Sequence, residues 1–147
     1  GVSLLAAGCG SKGAVSLTAA IEDPALEVRQ GALGSTLAGS FVLVLELGSV
    51  APRGTEVTLG ALGLRRGSEV LVEPLALDAD TPFPVEVGVG DSVRVGFAVD
   101  SGSIVDAAQA SAVCAGQVVV AGTLSDTLSE GKPTPVASSP FTPTCPD

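Results

Sequence analysis

Cysteine thiols and carboxylates are the side chains through which this sequence could do chemistry. There are three cysteines, Cys9, Cys114 and Cys145, and 16 acids against 7 bases, for a net charge of −9. His, Tyr, Trp and Met are absent, and so is Asn. Without His there is no Ser-His-Asp or Cys-His nucleophile, no HExxH zinc site and no imidazole proton shuttle. Without Tyr or Trp a sugar cleft lacks its stacking platform, and a partner surface lacks a phenol or indole anchor. Without Asn there is no N-glycosylation acceptor. The bias toward Ala, Gly, Val, Leu and Pro, with more Arg than Lys, is the kind a high-GC genome produces. The excluded chemistries are the same whatever its origin.

Oxygen ligands for Ca²⁺ could come from Asp78, Asp80 and Asp91. The segment Leu77-Asp78-Ala79-Asp80-Thr81 lacks the further acids and the Gly of an EF-hand loop. Solvated turn carboxylates are the simpler expectation, and no metal is expected. Gly88-Val89-Gly90 opens like a dinucleotide fingerprint. Val93, however, stands where the third Gly belongs, and the segment joins two strands, so no cofactor is expected. Lys12 and Lys132, the two lysines, neighbour Gly or Pro in loops, with no apolar surround to activate an amine for Ser-Lys catalysis. A hydrolase working through carboxylates alone is permitted by counting but would be unusual without aromatic platforms. The acidic balance argues against nucleic acid, whose phosphates demand clustered Lys and Arg.

The N-terminal ten residues read GVSLLAAGCG. Leu5-Ala6-Ala7-Gly8-Cys9 resembles the lipobox of bacterial lipoproteins, in which small and aliphatic residues precede a Cys that is lipidated and becomes N-terminal. The usual Leu three residues before the Cys is Ala6 here, with Leu5 one earlier. Gly10-Ser11-Lys12-Gly13 is similar to the short flexible tether that follows such a Cys. No initiator Met and no positively charged region precede the motif, as expected of a piece of a longer precursor. The resemblance implies lipidation of Cys9, export to the bacterial cell envelope and attachment to a membrane. It covers about a dozen residues and implies nothing about the domain that follows. The competing expectation is a buried apolar strand, Val2 to Ala7, with Cys9 a free or paired thiol. Every other apolar run is broken by charge, Gly or Pro before it could span a bilayer.

If Cys9 carries lipid, Cys114 and Cys145 remain as a pair, and an even remainder in an exported protein suggests a disulfide. The alternative is a metal site, which two thiolates without His would serve poorly. A bridge would close a loop of about 30 residues and contribute about 3–4 kcal/mol. It would also fasten the Pro-rich tail, Pro140 to Asp147, which otherwise would fray.

The elements that position these residues read as strands. Period-2 alternation runs through Ala14–Ile21, Phe41–Leu47, Thr55–Leu59, Glu69–Glu73, Val85–Val89, Val93–Val99 and Gln117–Leu124. Phe41, Leu43, Leu45 and Leu47 share one face. Val57 and Leu59, then Val70 and Val72, are expected to point inward. Gly90-Asp91 is read as the centre of a type II′ turn joining two of these strands into a hairpin. Further turns are expected at Ala51–Gly54, Arg65–Ser68, Asp80–Pro82 and Asp100–Ser103. Gly31-Ala32-Leu33-Gly34 and Gly60-Ala61-Leu62-Gly63 echo each other and are expected at turns or bends. Val105–Ala112 favours one short helix, with a bulged strand as its rival.

The expected fold is all-β: an antiparallel sandwich of seven or eight strands, immunoglobulin-like or fibronectin-like by analogy. Residues 1–13 form the lipobox segment and tether. Residues 14–147 form one domain ending in the Pro-rich tail. The function expected is that of a non-enzymatic envelope lipoprotein, a structural or binding module held to the membrane through Cys9. The alternative is a self-assembling subunit of an extracellular filament or surface array, lending an apolar N-terminal strand to a neighbour's sheet edge.

Overall fold

The computed structural model describes residues 16–32, 34–100 and 106–146. Cys9, the lipobox and Lys12 therefore lie outside the described residues. Nine strands and one helix occur among the described residues: β1 Leu17–Gly31, β2 Gly34–Leu47, β3 Thr55–Arg66, β4 Glu69–Val72, β5 Leu77–Ala79, β6 Val85–Val87, β7 Ser92–Asp100, α1 Ala107–Cys114, β8 Val119–Asp126 and β9 Thr134–Ala137. One sheet has the order β1-β2-β7-β5. The other has the order β9-β8-β3-β4, with β6 pairing the start of β3. All of these strand pairs are antiparallel, so the chain is an antiparallel β-sandwich.

The alternation of β2 explains the core. Leu37, Phe41, Leu43, Leu45 and Leu47 are buried on its inner face, and Leu43 and Leu45 are fully so. They meet Val57, Leu62, Leu64 and Leu124 from the other sheet in one cluster. Phe41 lies directly opposite Phe97 across the β2–β7 ladder, and their rings stack with centroids 5.0 Å apart. Phe83 stacks on Phe97 at 6.0 Å. Side chains of this size each contribute about 1.5–3 kcal/mol on burial, so this cluster, rather than surface charge, holds the sheets together. Three ion pairs occur among the described residues, Arg29–Glu27, Arg65–Glu73 and Arg94–Glu22, all at the surface. Such pairs contribute about 0–1 kcal/mol each.

The two Gly-Ala-Leu-Gly segments sit at irregularities, as expected. The first closes the β1–β2 hairpin, where Gly31 pairs with Gly34. The second carries a register shift in β3 between Leu59 and Leu62. A further bulge interrupts β1 between Glu22 and Ala25, where Asp23 has a φ of 53° and Pro24 escapes the ladder.

Several expectations are corrected. β6 and β7 are not a hairpin, because β6 belongs to one sheet and β7 to the other. The turn between them crosses the sandwich. It is centred on Val89-Gly90, one residue earlier than expected: the Asp91 N–H donates to the Gly88 carbonyl at 3.0 Å, and Gly90 has a φ of 77°. A positive φ at the third position marks type II rather than II′. Val70 is 49% exposed, whereas Leu71 and Val72 are buried. The register shift between Leu64 and Arg65 places one extra β4 residue opposite β3 and breaks the alternation. The turn expected at Arg65–Ser68 is confined to Gly67-Ser68, since β3 runs through Arg66. The strands β5 and β9, not foreseen in the sequence, bring the number past eight. Val105–Ala112 was the right region for a helix, which the structure places at Ala107–Cys114.

The tail is more than a fastened end. β9 pairs with β8 from Thr134 to Ala137. The buried Ser138 then accepts the Val120 N–H at its Oγ and donates that hydroxyl to the Ser139 carbonyl. Phe141 pairs with Val118 in one sheet, and Thr144 bridges Glu27 of β1 in the other. The tail thus joins both sheets through main-chain hydrogen bonds, including Val28 N–H to Thr144 O and Thr144 N–H to Leu26 O, both 2.8 Å.

Candidate functional site

The sandwich has two distinct ends. At one lie the hairpins Gly31–Gly34 and Arg66–Glu69, helix α1 and the tail. At the other lie the start of β1 and the loops 48–54, 88–91 and 127–133. This follows from the register: Leu17 pairs with Leu47, Glu46 with Ser92, Thr55 with Val87, and Val57 with Asp126.

The helix end is built around Cys114 and Cys145, which form the disulfide that the sequence suggested, with an S–S distance of 2.03 Å. Helix α1 starts at Asp106, which accepts the Gln109 N–H at 2.7 Å while the Gln109 side chain accepts the Asp106 N–H in return. That capping box satisfies donors that an N-terminus leaves open. At the other end of α1 no basic residue lies in the last turn. Arg66 supplies one from β3: its guanidinium donates to the carbonyls of Ala112 at 2.8 Å, Val113 at 3.4 Å and Gln117 at 3.0 Å. A cation at a helix C-terminus is favourable because carbonyls there lack intrahelical donors. Replacing Arg66 with Ala is therefore expected to destabilise the fold by about 1–2 kcal/mol. The melting temperature should fall by a few degrees, with faster amide exchange in α1 than elsewhere. Arg66 had no role in the sequence reading, because its partners are main-chain carbonyls that carry no sequence signature.

A cleft of about 260 Å³ opens beside the bridge, between Val28, Ser35, Ala110 and the two cysteines. Its lining carries no ionisable side chain, so the hydroxyls of Ser35 and Ser111 have no base beside them to activate a nucleophile.

The carboxylates considered for Ca²⁺ are not brought together. Asp78 and Asp80 border a shallow hollow of about 520 Å³ on the outer face of the β1-β2-β7-β5 sheet, with Asp23 also lining it. Asp91 is at the loop end instead. Asp80 already has structural work: its Oδ1 accepts the Gly96 N–H and the Thr81 hydroxyl, both at 3.1 Å, and so closes the edge of β7. Among the described residues no group of three or more carboxylates and cysteines could hold a metal ion. Gly88-Val89-Gly90 is a turn between strands and opens no helix. Lys132 is exposed in the loop before β9.

The loop end contains one buried polar cluster that sequence reasoning missed. Thr55 donates its hydroxyl to Asp126 Oδ2 at 2.6 Å and accepts the Leu128 N–H at 3.0 Å. Thr127 Oγ1 accepts the Glu56 N–H at 3.0 Å. Both Thr55 and Asp126 are buried. The cluster ties β3 to the 127–133 loop and fixes that end of the sandwich. The same end also exposes apolar side chains: Val50 is 58% exposed and Val89 is 43% exposed. Their loops are in contact, since a methyl group placed on Gly90 would lie 3.7 Å from Ser49 Cα. Comparisons with protein-family models, with curated proteins and with solved structures find no match to this chain.

Proposed function

We propose that the protein is a non-enzymatic lipoprotein of the bacterial cell envelope, a binding or structural module held to the membrane by lipid on Cys9. The observation that carries this reading is the motif Leu5-Ala6-Ala7-Gly8-Cys9 with its Gly-Ser-Lys-Gly tether, eight residues ahead of the first strand. The Cys114–Cys145 bridge supports it twice. It is a bond suited to an oxidising compartment, and it leaves Cys9 as the one cysteine outside the pair.

The sandwich itself fits an immunoglobulin-type module. Such domains place their first, second, fifth and fourth strands in one sheet and the third, sixth and seventh in the other. The order β1-β2-β7-β5 against β9-β8-β3-β4 has this arrangement, with β4 added beside β3 and β6 as an extra short strand. The bridge is not the inter-sheet one of antibody domains, so the likeness is one of strand order, and the function rests on the N-terminus.

The edges favour a module over a self-assembling subunit. β5 is three residues long and is followed by Pro82. β4 ends ahead of Pro74, β6 follows Pro84, and β9 contains Pro135. The tail covers β1. Short, proline-flanked and covered edges are the devices by which sheets avoid adding strands from neighbours.

Mass spectrometry of the native protein should find a diacylated or triacylated Cys9 as the first residue. Cys9→Ser should move the protein from the membrane to the soluble exported fraction. If that variant stays with the membrane, the lipid-anchor reading is wrong.

A further inference from the structure

We propose that the loop end of the sandwich rests on the bilayer surface, with Val50 and Val89 entering the interfacial layer. This builds on the reading of Cys9 as the lipid anchor. Eight Cα–Cα steps separate Cys9 from Leu17, which allows at most about 29 Å between them. β1 is 15 residues long and spans about 45 Å at about 3.3 Å per residue. The helix end therefore cannot face the membrane, because Leu17 would then stand further from it than the tether reaches. The anchored domain has its loop end toward the lipid or lies on a flank.

Exposed apolar surface decides between these, with the charge of the loops as support. The chain carries −9 overall. The three loops of this end hold two acids, Asp91 and Glu130, and two bases, Arg53 and Lys132, and so sum to zero. Outside these loops the surface is acidic: Glu56 and Glu86 pair one residue in from them, and Glu22, Asp23, Glu73, Asp78 and Asp80 are exposed along the flanks. Laying a flank on lipid headgroups would desolvate carboxylates. Laying the loop end on them would bury two exposed valines on touching loops. The other lysine, Lys12, lies in the tether between Cys9 and this end. Loops whose own charges cancel and that carry two neighbouring exposed valines suit zwitterionic headgroups, and small apolar side chains gain from leaving water there.

The protein contains no Trp, so single tryptophans report their surroundings without background. Lipidated Val50→Trp, Val89→Trp and Val70→Trp proteins would be placed on phosphatidylcholine vesicles with or without brominated acyl chains. Val70 is also exposed but lies on β4, near the opposite end. Brominated lipid is expected to quench emission at positions 50 and 89 at least twofold and to leave position 70 unchanged. A tryptophan could itself seek lipid, so hydrogen exchange of the unsubstituted lipidated protein is the second measurement. Amides of residues 48–51 and 88–91 should exchange severalfold more slowly on vesicles, and Val50→Asp with Val89→Asp should abolish the difference. Equal quenching at all three positions, or exchange unchanged by vesicles, would overturn the docking while leaving the anchor intact. An unmodified Cys9 in the mass spectrum would remove the anchor and the docking together.

Discussion

Changing Cys145 to Ser is expected to lower the melting temperature by roughly 6–16 °C. The bridge spans 31 residues, and closing a loop of that length contributes about 3–4 kcal/mol through the unfolded chain. In a domain of this size each kcal/mol corresponds to roughly 2–4 °C. The loss should be local in structure though global in stability. Residues up to Ala137 are held by β8, and Ser138 by the Val120 backbone, so the strand content should stay. What loosens is the chain from Ser139 onward, whose remaining ties are the Phe141–Val118 and Thr144–Glu27 pairings. Limited proteolysis should cut there first. A melting temperature within about 2 °C of the parent would mean that main-chain pairing alone holds the tail.

The second large effect is expected at Gly39. A methyl group there would overlap the carbonyl oxygen of Ala25 and lie 3.0 Å from Leu26 Cα. These are backbone atoms of β1 just past its bulge, where the chain swings in toward β2, and they cannot rotate away as a side chain would. Gly39→Ala should cost about 3 kcal/mol or more, the upper range for overpacking. Gly31→Ala, in the same hairpin, meets its nearest atom at 3.6 Å and should stay within about 0.5 kcal/mol of the parent. Urea midpoints compared across the two variants test this. Similar midpoints would mean that the bulge relaxes at little cost.

Gly39 and the bulge show where the sequence stops being readable. The alternation in Phe41–Leu47 and Val93–Val99 marks both strands, and groups Phe41, Leu43, Leu45 and Leu47 on one face, because burying one side of a pleated strand leaves that period in the residues themselves. Sheet membership leaves no such trace. The turn at Val89-Gly90 uses the same residues whether its strands pair or cross the sandwich, so β6 and β7 were read as a hairpin. β9 is only four residues long and contains Pro135, so it shows no alternation to read, although an edge strand tolerates a proline. The double Arg beside Gly67-Ser68 looks like a polar turn, and only the fold reveals that Arg66 reaches the end of α1. The cysteine pair was legible because parity is a property of the whole chain.

The pairing of Thr144 with Glu27 has a consequence for the order of events in the protein's formation. A chain that emerges N-terminus first, from the ribosome or through a narrow pore, offers β1 long before its C-terminal partner exists. The tie between β1 and the tail, and the bond between Cys114 and Cys145, can both form only once residues 144 and 145 are free. Until then the two sheets lack the main-chain link that residues 141–144 supply. Contacts between such distant segments are also slow to find one another. A chain that lacks residues 141–145 would keep its strands but lose the main-chain tie between the two sheets.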